Sequence, residues 1–350
     1  MIHFKRALSM WVLTTSAIML AASCSPAYKF AHGPAGADAD MNLYFAPFVP
    51  SFCVSPDGRV FYFSAIYHRH RHLFRLDAVR KKVTQVTDSD HGESYPALSR
   101  DGKLLVYVKT VDAVARQAVV VRDLGTGREW VAAPAAFGDI QFPRFSQDDK
   151  RIAYARFDSQ QANPTVKYLP NAVYITPSHG GRITSIFRTS SVEISPIFNT
   201  DGKQIFANYE RGDPATNAIY PLIAVPTDGS ANVRELTSHS TYNFSPCLVD
   251  HDQKIAYAFN NGSGAMQIFK IGKSGGNRTQ LTDFGDGGSN LVSTKDGKRI
   301  FYLSQNGDRM SGINGINSDG SGRYLVADVT LFNDPMHWHG IPKYTGPVAW

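Results

Sequence analysis

Ser55-Pro56-Asp57-Gly58-Arg59-Val60-Phe61-Tyr62 joins an aspartate-centred turn to an apolar strand, and the chain repeats this phrase five more times. The other copies are Ser99-Arg100-Asp101-Gly102-Lys103, Ser146-Gln147-Asp148-Asp149-Lys150, Asn199-Thr200-Asp201-Gly202-Lys203, Asp250-His251-Asp252-Gln253-Lys254 and Thr294-Lys295-Asp296-Gly297-Lys298. With Asp57, Asp101, Asp148, Asp201, His251 and Asp296 as equivalent markers, the spacings are 44, 47, 53, 50 and 45 residues. Proline presets φ, aspartate bonds its own backbone and glycine accepts φ > 0, so each phrase is a turn by its chemistry. The runs that follow, such as Val60-Phe61-Tyr62-Phe63, Leu104-Leu105-Val106-Tyr107 and Ile300-Phe301-Tyr302-Leu303, are β-branched and aromatic. Short strands at a period of about 40–50 residues are the signature of a propeller with one four-stranded blade per repeat. The expected fold is all-β, a six-bladed β-propeller over residues 41–350.

Within each repeat, third strands run into glycine-rich turns such as Leu124-Gly125-Thr126-Gly127 and Lys273-Ser274-Gly275-Gly276. Outer strands close with Gln85-Val86-Thr87, Glu235-Leu236-Thr237 and Gln280-Leu281-Thr282. Pro134 and the stretch from Asp158 to Leu169 are expected to lengthen loops in blades 2 and 3. Met41 to Phe45 is expected to supply a strand to the last blade and close the ring.

Together, the Ser-Pro-Asp-Gly-Lys phrase, the Asp-Gly turn and the terminal Leu-Thr resemble the PD40 (WD40-like) repeat of TolB-type propellers. The resemblance covers roughly residues 41–340 and implies a non-catalytic protein-binding scaffold of the cell envelope. TolB-type propellers dock a peptidoglycan-associated lipoprotein and other envelope partners, and they carry an N-terminal α/β domain for which this sequence shows no room. Prolyl-oligopeptidase-like enzymes also contain such propellers, but their Gly-x-Ser-x-Gly elbow is absent here, so a peptidase is not expected.

Residues 1–23 read as a lipoprotein-type signal peptide: Lys5 and Arg6 precede a short apolar run that ends in Ala21-Ala22-Ser23-Cys24. Leu20 to Cys24 resembles a lipobox, although Ala21 stands where leucine is usual. Cys24 is therefore the expected lipidation site, and residues 24–40 form a flexible tether. Ser25 favours outer-membrane sorting, which puts the protein on the periplasmic face of the outer membrane or at the cell surface. The membrane is expected to be touched through the N-terminal lipid alone. Formal net charge is +6, from 36 Lys+Arg against 30 Asp+Glu, and the only basic run, Arg80-Lys81-Lys82, falls at a hairpin turn. No nucleic-acid partner is expected from that pattern, and the propeller is expected to be monomeric. Cys53 and Cys247 each lie four residues before a marker, on innermost strands two blades apart. That separation exceeds the roughly 7 Å limit for a disulfide and predicts two buried free thiols.

Histidine forms the most distinctive cluster. Tyr67-His68-Arg69-His70-Arg71-His72 is expected in the loop between the second and third strands of blade 1, and His337-Trp338-His339 follows the last outer strand. Ring closure would bring the two groups together, so His68, His70, His72, His337 and His339 form a candidate site for a divalent metal or a ligand. Alternating His and Arg also fits an ordinary solvated loop. Oligogalacturonate lyases pair a related propeller with a histidine-bound metal, which supplies the alternative function: a carbohydrate-binding protein or a metal-dependent, lyase-like enzyme. No cofactor is otherwise expected. Tyr95, Phe142, Tyr242 and Trp338 are candidates for the mouth of the central channel. The turns at Asp57, Asp101, Asp148, Asp201 and Asp296 lie at the opposite strand ends from the histidines and read as structural.

Overall fold

The computed structural model describes residues 51–67, 70–157, 171–189, 194–209, 219–230, 232–237, 242–260, 266–283, 288–306 and 309–328. Each repeat becomes one antiparallel four-stranded blade whose strands run in chain order from the channel outward. Blade 1 contains β1 (Phe52–Val54), β2 (Val60–Tyr67), β3 (His70–Asp77) and β4 (Lys82–Gln85). Blade 2 contains β5 (Glu93–Leu98), β6 (Leu104–Thr110), β7 (Gln117–Asp123) and β8 (Glu129–Ala136). In blade 3 the order is β9 (Ile140–Phe145), β10 (Arg151–Phe157), β11 (Asn171–Pro177) and β12 (Thr184–Thr189). β13 (Ile197–Phe198), β14 (Gln204–Asn208), β15 (Leu222–Pro226) and β16 (Arg234–Glu235) make blade 4. Blade 5 is β17 (Tyr242–Val249), β18 (Lys254–Asn260), β19 (Gln267–Gly272) and β20 (Thr279–Gln280). β21 (Ser289–Ser293), β22 (Arg299–Asn306), β23 (Arg309–Asn317) and β24 (Tyr324–Asp328) complete blade 6.

Four of the six marker turns, those of blades 1, 2, 3 and 6, share one construction. In blade 1, Ser55 Oγ donates to Asp57 Oδ1 at 2.6 Å, and that oxygen accepts from Arg59 N at 3.2 Å. The Gly58 amide closes the turn onto Ser55 O at 2.9 Å, with φ at +76°. Ser99–Asp101, Ser146–Asp148 and Thr294–Asp296 repeat the side-chain bond at 2.7, 2.6 and 2.6 Å. The Ser or Thr hydroxyl holds the Asp57, Asp148 and Asp296 carboxyls below the ordinary aspartate range, and the Lys103 amide does the same for Asp101. A depressed carboxylate stabilises the fold above the unfolded-state pKa of about 3.9 and loses that contribution as pH falls through the folded value. These turns are therefore expected to leave Tm flat between pH 7 and about 5 and to lower it below about pH 4. Asp57→Asn should blunt that acid decline in a series of thermal melts; an unchanged acid limb would refute the assignment.

Outer strands are fixed by a second recurring bond. The threonine hydroxyls of Thr87, Thr237 and Thr282 accept from the third-strand amides of Leu73, Leu222 and Ile268 at 2.9, 2.9 and 2.8 Å. This is why the outer strand so often ends in Leu-Thr or Val-Thr: the hydroxyl satisfies a buried amide where the ladder runs out.

The core is divided into six parcels, each shared by two neighbouring blades. One of them joins Phe61 and Phe63 of blade 1 to Phe301 and Leu303 of blade 6, so the ring closes. Phe61 and Phe301 meet edge to face at 5.0 Å, while Arg299 Nη2 donates to Asp57 O at 2.6 Å across the same seam. The closing strand expected from Met41–Phe45 lies outside the described residues, and blade 6 takes its four strands from Ser289–Asp328.

Two local expectations are corrected. Pro134 does not lengthen a loop; it lies inside β8, on the outer edge of blade 2, where register shifts accompany it. An edge strand tolerates the missing N–H that a central strand would need. The histidine segment is not a six-residue loop either: β2 and β3 pair down to Tyr67↔His70, leaving only His68 and Arg69 between them.

Candidate functional site

The innermost strands β1, β5, β9, β13, β17 and β21 surround the central channel. Four residues before each marker stand Cys53, Ala97, Arg144, Ile197, Cys247 and Val292, and all six side chains line one cavity of about 180 Å³. Five members of this ring are apolar or thiol; the sixth is a guanidinium. Six residues before five of the six markers, Ser51, Phe142, Ser195, Ser245 and Asn290 line a second void of about 10 Å³, which has room for about one water. Arg144 lines both spaces. The channel is thus a pocket with a constricted end, and its roomy half opens among the marker turns: Pro56, Arg100, Gln147, Asp252 and Lys295 also line it.

Arg144 sits at the floor of that pocket. Its Nη1 donates to Pro96 O at 3.4 Å and to Pro143 O at 3.3 Å. Burial draws its pKa down, and the ionisable groups that bear on it are the thiols of Cys53 and Cys247. Both cysteines are free and buried, as expected. Burial pushes each thiol up to about 12, with Arg144 opposing the shift, so neither supplies negative charge at neutral pH.

At the open end, a polar chord crosses the mouth. Arg100 of blade 2 reaches Asp252 of blade 5, the blade opposite, with Nη2 3.0 Å from Oδ2. Arg100 Nη1 also donates to Gln147 Oε1 in blade 3, and its backbone amide donates to Asp149 Oδ1 at 2.8 Å. Asp149 and Asp252 occupy the turn position that is glycine in the other four repeats, and both keep the left-handed backbone, at φ 58° and 63°. Aspartate is one of the few residues that visits this region without large cost. The two repeats that drop glycine therefore place a carboxylate where it meets Arg100.

At the other end, Tyr95 and Phe142 pack at 4.8 Å between ring centroids, and Tyr95 N donates to Ser51 Oγ at 2.9 Å. Both stand in left-handed backbone, at φ 55° and 49°, within bulged innermost strands. Of the four mouth aromatics expected, these two are brought together. Tyr242 begins β17, but its side chain, like all of Trp338, lies outside the described residues.

Two of the five candidate histidines are described. His70 and His72 project from the same side of β3, with ring centroids 6.4 Å apart. His72 is buried and engaged: its Nδ1 lies 3.2 Å from Glu93 Oε2, which also accepts from Thr87 Oγ1 at 3.0 Å. Burial, reinforced by His72, pulls the His70 pKa down. Among the described residues, no group of three or more His, Cys, Asp or Glu could hold a metal ion. His68, His337, His339 and the lipidation candidate Cys24 lie outside them.

No protein-family model matches the chain, and no curated protein matches it by sequence. Solved structures do match. TolB from Acinetobacter baumannii superposes with a TM-score of 0.59 at 19% identity, over 78% of this chain and 62% of that one, so this chain spans less than two thirds of that protein. A putative TolB from Agrobacterium tumefaciens gives 0.58 at 17% identity, over 72% of this chain and 87% of the other. An oligogalacturonate lyase in complex with manganese gives 0.58 at 18% identity, over 83% and 78%. Identities this low carry the fold and nothing finer, since one propeller architecture hosts many functions. The protein folds as a TolB-like six-bladed β-propeller.

Proposed function

We propose that this protein is a non-catalytic protein-binding scaffold of the cell envelope, tethered through lipidated Cys24. The observation that carries this reading is an apolar display at one end of blade 2. Val111, Val114 and Phe137 are 38%, 63% and 44% exposed. They leave from the same strand ends, because Gln117 pairs with both Thr110 and Ala136. Exposed apolar side chains grouped in this way mark surfaces that meet another protein. The TolB-like fold and the signal-like N-terminus support the envelope assignment.

Crosslinking pull-down from envelope extracts tests it. A specific protein should be captured by the wild type and lost with the Val114→Asp/Phe137→Asp variant. Capture that ignores this variant, or repeated failure to capture anything, would overturn the reading. The competing reading, a carbohydrate-binding or metal-dependent lyase-like protein, has His70 and the manganese-bound structural neighbour in its favour. It requires stoichiometric metal in the purified protein that disappears when His68, His70, His337 and His339 are replaced by alanine.

A further inference from the structure

Arg144 carries five N–H donors in a rigid plane. Nη1 directs both of its hydrogens to the carbonyls of Pro96 and Pro143, at 3.4 and 3.3 Å. Among the described residues, Nε and Nη2 find no acceptor, and Arg144 forms no ion pair. Those two nitrogens make up the edge of a guanidinium that binds a carboxylate through two parallel hydrogen bonds. Arg144 lines a cavity of about 180 Å³, far above the roughly 10–15 Å³ that admits one water. Arg100, Arg144 and Lys295 line it against the single carboxylate of Asp252, which Arg100 already holds at 3.0 Å. The apolar walls around Arg144, from Ala97, Ile197 and Val292, offer nothing to a highly charged phosphate but suit a short carbon chain ending in an acid. A cation enclosed without a counter-charge is costly to keep, and a ligand that supplies the counter-charge offsets that cost.

We propose that the channel of this propeller is a carboxylate-binding pocket, entered from the face of the marker turns, with Arg144 as the residue that clamps the acid. This site lies at the opposite strand ends from Val114 and Phe137 and does not depend on the scaffold reading. The carboxylate belongs either to a free small acid or to the C-terminus of a peptide, and one experiment separates the two.

Thermal melts and calorimetric titrations of the full chain would use propionate, propionamide, chloride at equal ionic strength, and a short peptide with a free or an amidated C-terminus. Propionate or the free-acid peptide should raise Tm and bind saturably, while propionamide, chloride and the amidated peptide should not. Arg144→Met should lower affinity about tenfold to a hundredfold, the range for losing hydrogen bonds to a charged group, and Arg144→Lys should lower it less. Arg144→Met should also leave the unliganded protein as stable as the wild type or more so, which a purely structural arginine would not. Binding of the peptide alone assigns the site to a protein terminus, and binding of propionate alone assigns it to a small acid. Equal effects of chloride, equal effects of the neutral amides, or carboxylate binding that survives Arg144→Met would each overturn the proposal. So would the absence of binding by both propionate and the peptide. Should Arg144→Met fail to fold, the acid-against-amide comparison on the wild type decides.

Discussion

Phe61→Ala is expected to cost about 3–5 kcal/mol of stability, the largest loss from a single replacement considered for this protein. Phe61 is fully buried and stands where the ring closes, edge to face with Phe301 at 5.0 Å and within 6.2 Å of the Phe52 ring. Truncation removes the transfer energy of the ring and leaves a cavity that two β-sheets held at fixed spacing cannot easily collapse into. It also strikes the one interface that joins the first described blade to the last. Urea unfolding followed by tyrosine fluorescence and circular dichroism provides the measurement. A loss below about 1 kcal/mol, the ordinary size for an unremarkable substitution, would show that the seam does not pack as described. Phe61→Leu serves as the control and should cost distinctly less, because most of the volume is kept.

Arg100→Ala is expected to be the next most damaging, at about 2–3 kcal/mol. It strands the Asp252 carboxylate, whose side chain is only 8% exposed, without its partner. The figure is set below the full cost of breaking a buried pair because the Arg100 side chain is 32% exposed and partly screened. Asp252→Gly should cost less, since it removes the orphaned charge and restores glycine to a backbone at φ 63°. The double variant Arg100→Ala/Asp252→Gly should therefore be more stable than Arg100→Ala alone. A double-mutant cycle in urea reads this directly. Simple additivity of the two single losses would mean that the ion pair contributes nothing across the channel.

The fold was legible because its signal is local. Ser55, Asp57 and Gly58 build their turn from atoms within five residues, and the same chemistry recurs at Asp101, Asp148 and Asp296, so period and strand count follow from short words. The site was less legible for the opposite reason. Arg100 and Asp252 are 152 positions apart, and nothing near either names the other. A signal did exist in the aligned repeats: the column Cys53, Ala97, Arg144, Ile197, Cys247, Val292 holds a single charge, and the glycine column is interrupted only at Asp149 and Asp252. What composition got wrong about the histidine segment was its placement in a loop. Their alternation with arginine is a period of two, the period of a strand, and β3 begins at His70 as that period implies. His72 then meets Glu93, which also accepts from Thr87, where blade 1 packs on blade 2 rather than in an open loop.

The Arg100–Asp252 chord also changes the connectivity of the whole ring. Six blades joined only to their neighbours form a single circuit, and breaking any one interface turns it into a linear string with two free ends. A link between blades 2 and 5 divides that circuit into two loops of four blades that share the chord. Opening the seam between blades 6 and 1 then leaves blades 2, 3, 4 and 5 still closed on themselves. Opening an interface on the far side leaves blades 5, 6, 1 and 2 closed in the same way. Redundancy of this kind is bought by one aspartate, Asp252, standing where a repeat would otherwise write glycine.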